Sequence, residues 1–116
     1  MEIQRLHVGS TLSEAAVHNG VVYLAGQVAE DLTQDIAGQT REVLGHVDRL
    51  LTEAGSDKTR ILMCQIFLAD LSDFSAMNAV WNEWVAPGHA PPRATVQAGL
   101  AKPEWRVEMV VTAAQK

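Results

Sequence analysis

The run RVEMVVTAA, residues 106–114, constrains the fold most, because it is apolar on both sides. Side chains of a strand alternate between the two faces of its sheet. One face here carries Val107, Met109, Val111 and Ala113, and the other carries Glu108, Val110, Thr112 and Ala114. Helices laid on one side of such a sheet leave its second side bare. Only two segments of the chain have the spacing and length of helices, so another copy of the chain is the simplest cover for the remaining face. A homo-oligomer is expected from this strand alone.

The two helical segments are legible from their periodicity. TQDIAGQTREVLGHVDRLLTEAG, residues 33–55, sets Ile36, Val43, Leu44, Val47, Leu50, Leu51 and Ala54 three and four apart, which predicts an amphipathic helix with Gly55 at its end. LSDFSAMNAVWNEWVAPG, residues 71–88, predicts a second helix. Ser72 is its expected N-cap, Phe74, Met77, Trp81 and Trp84 its apolar stripe, and Pro87 its stop.

Strands fill the rest. A short one is expected around Ile3 to Val8, with Val17 on the way to the next. VVYLAGQVA, residues 21–29, follows the turn signal His18-Asn19-Gly20. RILMCQIFLAD, residues 60–70, is apolar nearly throughout and reads as a strand buried on both faces. Ala94 to Leu100 and Arg106 to Ala114 close the chain, with AKPEW as the turn between them. The order β-β-α-β-α-β-β predicts one α+β domain over residues 1–116, a β-sheet with two helices packed on one face.

Composition excludes several classes. The net charge is −5 and the Lys and Arg residues do not cluster, which speaks against nucleic acid, whose phosphates call for a concentrated basic patch. No stretch approaches the roughly 18 apolar residues of a membrane span, and no basic leader precedes an apolar run. With Cys64 alone, no intrachain disulfide can form. Together these features predict a cytoplasmic protein.

Few residues offer chemistry. His7, His18, His46 and His89 are scattered without metal-ligand spacing, so no metal is expected, and no phosphate-binding loop or dinucleotide fingerprint is present. Cys64 lies among Leu62, Ile66 and Leu68 and reads as a packed thiol. Gly26 interrupts a strand, which marks a bulge or a close approach. In HAPPRATVQAGL, residues 89–100, Pro91 and Pro92 stiffen the lead-in to Arg93, which shares a strand face with Thr95 and Gln97. Glu108 interrupts the apolar run of the neighbouring late strand, where a carboxylate needs a partner or a task. Arg93 and Glu108 therefore read either as a structural ion pair or as parts of a site.

The stretches YLAGQVA, QTREVLGHVDRLLTEAGSDKTRIL, FLADLSDFSAMNAVWNEWV, PPRATV and VEMVVTAA, together with the Arg93–Glu108 spacing, resemble the reactive-intermediate deaminase (RidA, or YjgF-like) family over nearly the whole chain. The wording HAPPRATVQAGL is most similar to the YoaB-like branch. The resemblance implies a chorismate-mutase-like fold, a homotrimer with clefts between subunits, and hydrolysis of 2-imino acids and their enamine tautomers to 2-oxo acids and ammonia, without metal or cofactor. It implies that Arg93 grips the substrate carboxylate through a bidentate fork, that Glu108 positions or deprotonates a water, and that Asn78, Ala25, Gly26 and Thr95 border the ligand. The chain also departs from the family pattern. Ala25 stands where deaminating members carry serine, Thr95 where many carry cysteine, and the N-terminal tyrosine of other members falls near Leu12 or Ser13. Such a pocket is also compatible with a trimeric module that binds a small carboxylate metabolite without turnover, or with a different hydrolysis.

Overall fold

Strand alternation and helical periodicity combine here into one sheet backed by two helices. The computed structural model describes residues 2–116. Its elements are β1 (Gln4–Val8), β2 (Ser13–His18), β3 (Val21–Leu24), α1 (Ile36–Glu53), β4 (Ile61–Leu68), α2 (Phe74–Trp84), β5 (Arg93–Gln97) and β6 (Val107–Ala114). The strands form one sheet in the order β1-β2-β3-β6-β4-β5, antiparallel throughout except for the parallel pair β4–β5. No helix among the described residues is long and apolar enough to cross a membrane.

α1 follows its sequence pattern closely. Ile36, Val43, Leu44, Val47, Leu50, Leu51 and Ala54 are all buried against the sheet, and Gly55 leaves the helix with φ +81°. Asp35 caps the N-terminus by accepting from the Gly38 N–H at 2.9 Å. Gln39 is also fully buried, which the apolar pattern did not foretell. Its amide donates to the carbonyls of Gln34 and Glu104 and its oxygen accepts from the Arg106 N–H, so its polar atoms are matched and it ties α1 to the start of β6.

Four expectations are corrected. The first hairpin contains an additional strand, β2, whose sequence SEAAVH has only one β-branched residue and so gave little strand signal. Asn19 and Gly20, both with positive φ, turn β2 into β3. β3 stops at Leu24 rather than continuing to Ala29; beyond it the chain touches the sheet only through the Gln27–Met109 bridge. β4 is buried on one face only: Cys64, Ile66 and Leu68 point to the helices, whereas Met63 and Gln65 are exposed. A register shift between Ile61 and Met63 also breaks the alternation, so Leu62 is exposed and does not share the face of Cys64.

The last correction concerns α2. It starts at Phe74 after a 3-10 turn over Leu71–Asp73, and Asp70 caps that turn by accepting from the Ser72 N–H, so Ser72 is capped rather than capping. Met77, Val80 and Trp81 are its buried residues, and Phe74 is left 38% exposed.

β6 alternates as its sequence predicts. Val107, Met109, Val111 and Ala113 are buried beneath the helices, and Glu108, Val110, Thr112 and Ala114 are half-buried on the other face. That open face also shows exposed Tyr23, Met63 and Val96. Register places Tyr23 beside Thr112, Thr112 beside Met63, and Phe67 beside both Glu108 and Val96, so the apolar groups share one open face with Gln65, Glu108 and Thr112 among them.

Candidate functional site

The strand order decides where Arg93 and Glu108 lie. β5 and β6 are not neighbours, because β4 runs between them. Arg93 sits beside Cys64, which sits beside Val111, and this row faces the helices. Glu108 sits beside Phe67, which sits beside Val96, and this row faces away from them. The two side chains therefore leave opposite faces of the sheet. No Arg93–Glu108 ion pair forms among the described residues, so the structural pairing open at the sequence level is not realised within one chain.

The candidate residues fall into two groups, one on each face. On the helix side, β5 carries Arg93 and Thr95 against α2. The lead-in prolines act here: the Pro92 carbonyl accepts from the Cys64 N–H at 3.0 Å, which fixes the chain where the parallel pairing begins. Arg93 Nη2 donates to Asn78 Oδ1. The guanidinium carbon lies 5.1 Å from the centre of the Trp81 ring and 5.8 Å from that of Phe74. Nη1 is buried with no acceptor among the described residues. A buried donor left unpaired is costly, which makes this edge of the cation the natural seat of an anion. Cys64, beneath it, has its thiol pushed up to about 12 by burial, against the opposing pull of the Arg93 charge, so it is a packed thiol and no nucleophile.

On the other side, the chain leaving β3 folds over Glu108. Gly26 leaves room for the carboxylate: a Cβ on it would stand 2.0 Å from Glu108 Oε2 and would have to push that side chain aside. Paired hydrogen bonds between Gln27 and Met109, at 2.8 and 3.1 Å, hold the segment in place, and Ala25 N–H donates to the Glu14 carbonyl at 2.9 Å. The result is a cleft of about 360 Å³ lined by Leu12, Glu14, the segment from Ala25 to Val28, Glu30, His46, Arg49 and Glu108. Leu12 thus borders the cleft.

Sequence reasoning missed the α1 wall of this cleft and its brace. Glu42 accepts from the N–H groups of Glu30 and Asp31, from the Gln34 side chain and from His46, at 2.7, 3.3, 2.7 and 3.0 Å. The Glu30 N–H is the main reason its carboxyl is held below the usual range. The spacing of Glu42 and His46, one helical turn apart, was the available signal. β6 itself is anchored by Arg106, whose Nε and Nη2 fork onto Asp73 at 3.2 and 3.1 Å. Among the described residues no three His, Cys, Asp or Glu side chains gather as a metal centre. His89 lies exposed in the loop between α2 and β5.

Comparison with known proteins matches these features to a family. The Endoribonuclease L-PSP family model matches residues 2–115. A RutC family protein of Haemophilus ducreyi is 48% identical over 112 residues, covering 97% of this chain and 96% of the relative. The RutC family protein YoaB of Escherichia coli K12 is 45% identical over 114 residues, covering 98% and 99%. Among solved structures, NMB1025 of Neisseria meningitidis, a member of the YjgF protein family, superposes with a TM-score of 0.97 at 45% identity, over 100% of this chain and 97% of that one. Membership at this coverage supports a role connected with small molecules. The chain belongs to the YjgF/RidA family, whose model carries the description Endoribonuclease L-PSP.

Proposed function

We propose that this protein hydrolyses reactive 2-imino acids to 2-oxo acids and ammonia, in a cleft that two copies of the chain complete together. The observation that carries this reading is the buried, unpartnered Nη1 of Arg93, a cation held by neutral neighbours and lacking an anion. A substrate carboxylate supplies that anion. The segregation of Arg93 and Glu108 onto opposite faces supports a site drawn from two subunits, and the apolar open face supports their association, most simply as a trimer.

The chemistry needs only groups the chain has. Arg93 holds the carboxylate, with Asn78 and Thr95 beside it, while Glu108 faces the imine carbon from the cleft floored by Ala25 and Gly26. Starting from the iminium, Glu108 takes one proton from water as its oxygen attacks C2, giving a neutral carbinolamine. Protonated Glu108 returns that proton to nitrogen and accepts the hydroxyl proton as the C–N bond breaks. Ammonia and the 2-oxo acid leave, and the remaining proton passes to solvent. General-base help of this kind is worth roughly 10²–10⁴-fold.

A nuclease reading, suggested by the family description, is disfavoured by a net charge of −5 with no basic cluster. A binding module without turnover is the second reading, favoured by an Arg93 region that is assembled within one chain. An amino-acid oxidase generating 2-iminopropanoate in the presence of semicarbazide separates the two. The proposal expects the protein to reduce the semicarbazone formed, and Arg93→Ala to have no such effect. Unchanged semicarbazone with wild-type protein, alongside calorimetric binding of 2-oxo acids, would replace the enzyme with the module.

A further inference from the structure

Arg93 is held more closely than an edge-strand arginine requires, and all the side chains around its guanidinium come from one element. Phe74, Asn78 and Trp81 lie at i, i+4 and i+7 on α2 and so share one helix face. By spacing, Phe74 and Trp81 belong to one apolar stripe of the helix. The structure separates them: Trp81 is buried, whereas Phe74 remains 38% exposed beside the guanidinium. An aromatic ring attracts a guanidinium through its face, and leaves the N–H groups at the edge of the cation free. An aspartate in the same place would fix the cation equally well but would occupy the edge and cancel the charge. The neutral set Phe74, Asn78 and Trp81 fixes Arg93 without consuming its charge, and Nη1 stays unpartnered.

We infer that Phe74 and Trp81 are positioning residues for carboxylate recognition: their rings hold the guanidinium so that Nη1 meets the ligand. This rests on the reading that Arg93 binds the substrate carboxylate. The role predicts a dependence on the aromatic face and not merely on apolar bulk, so a ring-for-ring exchange preserves binding and a ring-for-aliphatic exchange does not.

Calorimetric titration of the full protein with 2-oxobutanoate, an unreactive carboxylate of the product class, tests it. Wild type is expected to bind and Arg93→Ala to lose binding. Phe74→Leu, an apolar exchange at a position 38% exposed, should weaken binding by roughly 2- to 30-fold, the range of a cation–π contact, with an unchanged melting transition showing that it folds. Phe74→Tyr and Trp81→Phe should remain within about twofold of wild type, since each keeps a ring. The indole fluorescence change on adding 2-oxobutanoate should persist in Phe74→Tyr and shrink in Trp81→Phe, because Trp81 is the tryptophan beside the cation. Binding lost in Arg93→Ala but unchanged in Phe74→Leu would overturn the positioning role alone. Absence of binding by wild type, or equal binding by Arg93→Ala, would overturn the carboxylate reading on which it rests.

Discussion

The two regions that carry the candidate residues are built on different principles. The Arg93 region is a cation set by packing: aromatic rings, one amide and a parallel strand pair hold it, and no carboxylate neutralises it. The Glu108 region is a cleft made by backbone, in which a glycine yields space to a carboxylate and a loop is braced from α1 by Glu42. In the proposed function the first binds an anion and the second places a base against an open volume. Neither does both. On the proposed reading, that division fits the apolar sheet face the chain presents, since bringing a binding half to a reacting half calls for another copy.

Substitutions separate the halves in descending order of effect. Arg93→Ala should abolish carboxylate binding, by roughly 10²-fold or more, with an unchanged melting transition, as measured by calorimetry and thermal denaturation. Glu108→Gln should lower kcat by roughly 10²–10⁴-fold while 2-oxo acid affinity stays close to wild type, a split read from kinetics and calorimetry together. Gly26→Ala should resemble a weaker Glu108→Gln, because the added methyl group must push the carboxylate aside; a variant with full activity would show that Glu108 need not stand where it does. Acid should loosen the same half. Glu42 is held below the ordinary carboxylate value, so what it contributes is present above that value and fades as pH falls through its lowered folded one. Protection of the Glu30–Gln34 amides, taken relative to the intrinsic exchange rate at each pH, should accordingly fall in acid, and should not change with pH in that range in Glu42→Gln. Cys64→Ala should change turnover least of all, and the wild-type thiol should resist alkylation at neutral pH, in keeping with its buried, strongly raised pKa.

The sequence showed the two halves unequally. α1, α2 and the C-terminal strand were legible because periodicity of 3.6 and of 2 reports burial directly, and Arg93, Gly26 and Glu108 stood out as residues whose chemistry did not suit their setting, whereas Asn78 was marked only by the family resemblance. What the sequence hid was relational. Nothing local says that β4 inserts between β5 and β6, so residues on consecutive strands read as neighbours although they lie on opposite faces. β2 hid behind small residues, the bulge at Ile61–Met63 reversed the facing of Leu62, and the cap of α2 shifted because Asp70 competes with Ser72 for the same turn. The contribution of α1 to the Glu108 cleft, through His46, Arg49 and Glu42, depends on a loop path that no periodicity encodes.

The central claim, that one site joins Arg93 of one copy to Glu108 of another, is tested most directly by mixing. Arg93→Ala and Glu108→Gln proteins, each inactive alone, would be unfolded together, refolded as a mixture and assayed for imine hydrolysis. In a cyclic assembly, random mixing rebuilds about a quarter of the sites with both groups intact, so activity should return to roughly that share of wild type. A mixture no more active than its separate parents would contradict a shared site and place both residues' work within a single chain.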